Sequence, residues 1–184
     1  DLACAMYDLL IEKCEASGLR QYEVANFARD RETTETVSPA SELADGRGIP
    51  AYACRHNVNY WRNGSYYGLG PAACGYVEGV RTGNWGNVHL YCDQIEQGRR
   101  AIAWRDELTP IQRAGEAAAF GLRMVQGWGL EEFRQRTGFD LLSGWRLEIQ
   151  DLVERGWGVL EPDRFRLTSQ GIRFADAAGT LFLR

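Results

Sequence analysis

At 184 residues, 45% hydrophobic and 25% charged, the chain has enough apolar material for a real core and room for one domain or two small ones. A formal net charge of −4 argues against a generic nucleic-acid binder, and no apolar run is long enough to span a bilayer. Five cysteines, at 4, 14, 54, 74 and 92, are odd in number and irregularly spaced, which argues against a disulfide framework and for a reducing, cytoplasmic compartment.

In chain order, residues 1–17 carry Leu2, Ala5, Met6, Leu9 and Leu10 at helical spacing, with Gly18 as the stop. The run is amphipathic and contains acids, so it is not a signal peptide. It begins at Asp1 rather than Met, inside a helical pattern, as a piece of a longer protein would. Gln21 to Ala28 alternates as a strand, with Tyr22, Val24 and Asn26 on one face and Glu23, Ala25 and Phe27 on the other. A helix followed by a strand is half of an α/β unit and implies a sheet, possibly parallel. Residues 29–53 are polar, rich in Ser, Thr, Glu, Gly and Pro, and lack an apolar period; they read as a mobile insertion.

The stretch from Cys54 to Gly75 gathers a His, three Asn, several aromatics, two Cys and repeated Gly. His56 to Trp61 shows no clear period. A turn over residues 62–65, a short strand from Tyr66 to Leu69 and a bend through Gly70-Pro71 follow. Glycines flanking a strand end indicate close backbone approach or a backbone angle that other residues avoid. The stretch reads either as the rim of a ligand site or as a surface hairpin with an aromatic cluster. Tyr76 to Arg81 then reads as a strand entering a turn at Thr82-Gly83-Asn84, residues 89–99 as a short helix ending at Gly98, and Trp104 to Leu108 as a connector.

From Thr109 the pattern becomes helical, with Thr109 as N-cap, Pro110 in the first turn and Ile111, Ala114, Ala118, Leu122 and Val125 along one stripe. A second helix follows Gly129, a third runs from about Leu142 to Arg155, a hairpin turns at Pro162-Asp163, and Ser169 caps a last helix. This is a winged-helix-like plan of a size that folds alone. Its charge opposes DNA binding: residues 107–184 hold ten Arg against eleven Asp and Glu. Packing or partner docking is the better use.

Cys54-x-His56, His89-x-x-Cys92 and Cys74 have zinc-ligand chemistry, but their spacing departs from that of structural zinc sites, and ordinary loop cysteines are the default. No Cys-x-x-x-Cys-x-x-Cys run is present, so the chain holds no recognisable iron–sulfur motif. His56, in a polar aromatic setting, could bind a carboxylate when protonated or ligate iron when neutral. Glu23 is a possible polar contact at a strand end.

The runs QYEVANFA (21–28), RHNVNYW (55–61), YYGLGPAACG (66–75) and VRTGN (80–84), with the LTP…GLR helix and the RFRLTSQG junction, resemble the oxygen-independent coproporphyrinogen III oxidase-like radical SAM proteins. The resemblance is closest to the heme-chaperone (HemW) branch and covers nearly the whole chain apart from residues 29–53. It implies a mixed α+β and α/β fragment: the last unit of a partial (β/α) barrel and its covering segment over residues 1–106, and a HemN-type, winged-helix-like C-terminal domain over residues 107–184. It further implies binding of S-adenosylmethionine and heme, a [4Fe–4S] cluster whose ligands lie outside this chain, and transfer of heme to an acceptor protein. Alone, the chain would then perform no radical chemistry. The site residues implied are His56 and Asn57 as polar groups, Tyr60 and Trp61 as an aromatic wall, and Gly68, Gly70 and Cys74 as a turn near the adenosyl ligand. Two departures from the family pattern stand out: Cys74 where a His is usual, and the long 29–53 segment. The alternatives are a porphyrinogen-decarboxylating oxidase and a non-catalytic interaction module.

Overall fold

The computed structural model describes residues 2–31 and 48–184. Most of the expected mobile insertion, residues 32–47, lies outside the described residues. Helix α1 (Leu2–Ala16) ends at Gly18, whose φ of 71° lets the chain reverse while Gly18 and Leu19 N–H groups bond back to Glu15 and Cys14 carbonyls. The helix buries none of its residues fully, and Leu2, Met6, Leu9 and Leu10 remain exposed.

Residues 21–28 are not one strand. They form a small antiparallel pair, β1 (Arg20–Gln21) and β2 (Phe27–Ala28), around a tight turn. The turn wins because the Glu23 carboxylate folds inward: its Oε1 accepts from the Ala25 N–H at 3.1 Å and from the Asn26 side-chain amide. The Tyr22 N–H closes the loop on the Asn26 carbonyl at 3.1 Å. The parallel partner expected for this segment is absent among the described residues, where every strand pairing is antiparallel.

The run His56–Trp61, without legible period as sequence, is a seven-residue helix, α2 (Arg55–Trp61). The expected strand Tyr66–Leu69 shrinks to a single bridge, Tyr66 opposite Tyr76. The next segment differs from expectation throughout. Tyr76 to Arg81 crosses a hairpin between β3 (Cys74–Val77) and β4 (Val80–Asn84), Thr82-Gly83-Asn84 lies inside β4, and the expected connector at 104–108 is mostly strand β5 (Ile102–Glu107). The cause is the two-residue turn at Glu78-Gly79, both with positive φ (51° and 85°), whose twist suits an antiparallel hairpin. The sheet order is β3-β4-β5. Helix α3 (Val88–Glu96) sits between β4 and β5 in the chain, capped by the Asn87 side chain on the Leu90 N–H at 3.0 Å and followed by Gly98 with φ 69°.

Helix α4 (Pro110–Gly121) starts as expected, with Thr109 and Gln112 satisfying each other's groups in a capping box. Ala114, Ala118 and Leu122 are buried, whereas Ile111 is exposed. Strand β6 (Trp128–Gly129), helix α5 (Leu130–Thr137), α6 (Leu141–Gly144) and α7 (Arg146–Glu154) follow, then β7 (Gly158–Leu160) and β8 (Arg164–Leu167). The expected third helix is thus split at Trp145, whose φ of −133° leaves helical geometry so that its indole can fill the core. The hairpin gains a third strand, order β6-β8-β7. A 3₁₀ turn (Gly171–Phe174) leads into α8 (Ala175–Thr180), and the cap on the Gly171 N–H is Thr168 at 3.0 Å rather than Ser169.

The main core lies in this C-terminal part. Trp128, Phe133, Trp145, Phe165 and Phe182 are fully buried and meet ring to ring, and both indole N–H groups are satisfied, on the Ala117 and Phe182 carbonyls at 2.9 Å. A smaller cluster of Tyr22, Ala28 and Met124 joins the N-terminal hairpin to it. There the Val24 N–H bonds to the Arg123 carbonyl and the Val125 N–H to the Tyr22 carbonyl, both at 3.0 Å.

Candidate functional site

Helix α2 carries four of the expected site residues. Positions 56 and 60 share one helix face, and 57 and 61 the next, because neighbours four apart align in a helix. His56 is exposed. The Asn57 side-chain amide donates to the Tyr22 hydroxyl at 3.4 Å, tying α2 to the N-terminal hairpin. Tyr60 and Trp61 form a wall, but one already packed on one side. Tyr60 stacks on Phe120 of α4 with centroids 5.7 Å apart and leans on Tyr66 at 5.1 Å, while Trp61 meets Tyr60 edge-on at 4.9 Å. The Arg123 guanidinium lies 4.6 Å from the Trp61 ring centre. Trp61 Nε1 and Arg123 Nε are buried without a hydrogen-bond partner, as is Glu23 Oε2.

Arg62 ends α2 and is almost fully buried. It donates to the Gly127 carbonyl at 2.7 Å, lies 4.6 Å from the Trp128 ring centre and faces Glu132 at 3.6 Å. Burial pulls its pKa down to about 10, which still leaves it charged at neutral pH. It locks the end of the helix to the C-terminal core.

The glycine turn forms a second group. Gly68 runs so close to the Cys74 carbonyl that a Cβ there would collide with it, which is why the strand-end glycine is needed. Gly70 has φ 100°. The Asn84 side-chain amide donates to the Gly68 and Gly70 carbonyls at 3.1 and 2.9 Å, and the Gly70 N–H donates to the Tyr91 hydroxyl at 3.2 Å. Cys74 is exposed at the start of β3, opposite Gly83.

Gly68, Gly70 and Cys74 are therefore brought together, and so are Tyr60 and Trp61. Tyr66 links the groups: it touches Tyr60, pairs with Tyr76 and lines a groove of about 550 Å³. The groove lies between the segment 66–69, α3 and the sheet face bearing Val77, Val80, Thr82 and Ile102. Burial, then the neighbouring Tyr60 hydroxyl, pushes the Tyr66 phenol up to about 12. On the opposite sheet face Arg81 makes a two-pronged pair with Glu116 of α4, at 2.9 and 2.7 Å. Burial works against this charge, yet the Glu116 contacts hold it above the ordinary arginine value.

Tyr66, Asn84, Tyr91 and Arg81 were missed as site-building residues. Only the aromatic density of 60–67 signalled Tyr66; the others act through contacts distant in sequence. Among the described residues no group of three His, Cys, Asp or Glu side chains is placed to hold a metal ion, and the five cysteines are free. This donor set does not fit an iron–sulfur cluster.

Comparison with known proteins identifies the class. Residues 108–174 match the HemN C-terminal domain. The chain is 32% identical over 168 residues to the heme chaperone HemW of Bacillus subtilis, covering 90% of this chain and 38% of that protein. It is 27% identical over 180 residues to HemW of Lactococcus lactis, covering 97% and 41%. The fold matches that of Escherichia coli coproporphyrinogen III oxidase (HemN), described as a radical SAM enzyme, with a TM-score of 0.65 at 16% identity over 95% of this chain and 39% of that one. The chain thus spans about two fifths of the length of these relatives. It belongs with the HemN/HemW-like radical SAM proteins and corresponds to their C-terminal portion.

Proposed function

We propose that this chain is the C-terminal part of a heme chaperone of the HemW kind, which binds heme and S-adenosylmethionine and passes heme to an acceptor protein. The observation that carries this is the 32% identity to a heme chaperone across 90% of the chain. The likeness to the oxidase is one of fold and does not favour decarboxylation.

In this reading His56 and Asn57 supply polar contacts to the tetrapyrrole, and Tyr60 and Trp61 form the wall beside it. The turn of Gly68, Gly70 and Cys74 approaches S-adenosylmethionine, and the exposed Cys74 thiol is the second candidate iron ligand beside His56. The [4Fe–4S] cluster is held by residues outside this chain. Residues 1–106 belong to the barrel side and its cover. Residues 107–184 form a winged-helix-like unit that docks a protein partner, since ten Arg against eleven acids give no basic face for nucleic acid. A cytoplasmic setting goes with five free cysteines, and no helix among the described residues is long and apolar enough to cross a membrane.

A hemin titration of the 184-residue chain, followed by its Soret band, tests the reading. Saturable binding that His56→Ala or Cys74→Ala weakens and shifts spectrally is the expected result. Binding unchanged by both substitutions removes these two residues as ligands, and no saturable binding removes heme binding by this chain.

A further inference from the structure

The 550 Å³ groove beside Tyr66 is of cofactor size. Its body is apolar: Leu69, Val77, Val80, Ile95 and Ile102 line it, with the Tyr66 and Tyr91 rings. Its charge is the opposite of the molecule's. The chain carries a formal charge of −4, yet the groove is lined by two arginines, Arg100 and Arg105, and by no Asp or Glu. Arg100 is exposed and makes no ion pair among the described residues. Arg105 pairs with Glu107 at 3.0 Å, but the two side chains are 62% and 67% exposed, so the pair is weak and easily exchanged for a ligand anion.

Arg105 is placed by the sheet and Arg100 by the turn that leads into it. A register shift between Gly83 and Asn84 adds one residue to β5, which brings Ile102 and Arg105 to the same groove despite their odd separation. Arg100 follows Gly98, whose left-handed turn ends α3 and feeds the chain back into β5. An apolar trough with guanidinium groups and no carboxylate among its lining suits a ligand with a flat apolar body and carboxylates at one edge.

We infer that this groove receives a tetrapyrrole and that Arg100 and Arg105 bind its propionate carboxylates. The inference rests on the heme-binding reading above and assigns the carboxylate end of that site, which neither His56 nor Cys74 supplies. Tyr66 joins the two parts, touching the wall residue Tyr60 on one side and lining the groove on the other.

The test compares hemin with hemin dimethyl ester, whose carboxylates are blocked, on the 184-residue chain and on Arg100→Ala and Arg105→Ala. Both residues are exposed, so folding should survive, as circular dichroism will show. Each substitution is expected to weaken hemin about tenfold without moving the Soret maximum, and to leave the ester's affinity unchanged. Hemin bound equally by the wild-type and both variant chains would overturn the arginine assignment while leaving the heme reading intact. Equal weakening of hemin and ester would overturn it too, since the arginines would then act by packing. If neither hemin nor metal-free protoporphyrin binds the wild-type chain, the heme reading falls and the groove assignment with it.

Discussion

Tyr66 shows how one side chain joins a wall to a groove. Its phenol is held neutral by burial and by the Tyr60 hydroxyl, with the pKa raised from 10.0 to about 12. The sign follows from linkage: the fold favours the protonated phenol, so this contribution to stability is complete below pH 10 and is lost as pH rises from 10 to 12. The chain should therefore lose stability across that window, seen as a falling urea midpoint, and Tyr66→Phe should flatten the loss. Burial also raises the Tyr7 phenol, so tyrosinate absorbance should show late-titrating phenols of which one disappears in the variant; a variant titrating like wild type would exclude Tyr66 as that group. Glu23 makes a different point at this scale. Its carboxylate, buried on one satisfied oxygen, turns eight residues of strand-like alternation into a tight reversal.

At the scale of elements, glycines mark where helices and strands touch other parts too closely for a side chain. Gly121, at the end of α4, faces the Trp128 indole, which is fully buried and held by the Ala117 carbonyl. Gly83 in β4 faces Trp104, whose side chain is 45% exposed. Gly→Ala in a helix ordinarily stabilises by about 0.5–1 kcal/mol. Gly121→Ala should instead destabilise by about 1–3 kcal/mol, because the indole cannot move without overpacking the core. Gly83→Ala should cost less than about 1 kcal/mol, since Trp104 can swing into solvent. Urea unfolding of both variants checks the ranking; equal costs would mean that Trp128 yields as easily as Trp104.

For the whole molecule, stability is unevenly spread. The C-terminal part holds the aromatic core, while α1 buries no residue fully and leaves Leu2 76% exposed. The central sheet is tied to α4 by the Arg81–Glu116 pair, and α2 is tied to it by Tyr60 on Phe120. Amide hydrogen exchange should open α1 first, the β3-β4-β5 sheet next and α4, α7 and β8 last, the last group near the global unfolding free energy. Protection of α1 equal to that of α4 would show that the chain unfolds as one unit.

Local chemistry was enough to place α1, α3 and α4 and the hairpin at Pro162-Asp163, because glycine stops, caps and helical spacing act within a few residues of where they stand. It also gathered Tyr60, Trp61, Gly68, Gly70 and Cys74 into one stretch, and the motif resemblance pointed to the right family. It misread residues 21–28 and 76–84 because alternation cannot distinguish one strand from two joined by a tight turn; the Glu23 contacts and the twist of the Glu78-Gly79 turn decide that. α2 was hidden because seven residues are too few to display a helical period. The groove was out of reach for a different reason. Tyr66, Asn84, Tyr91 and Arg105 lie far apart along the chain, and only the pairing of β3, β4 and β5, with its one-residue register shift, sets them around a common space.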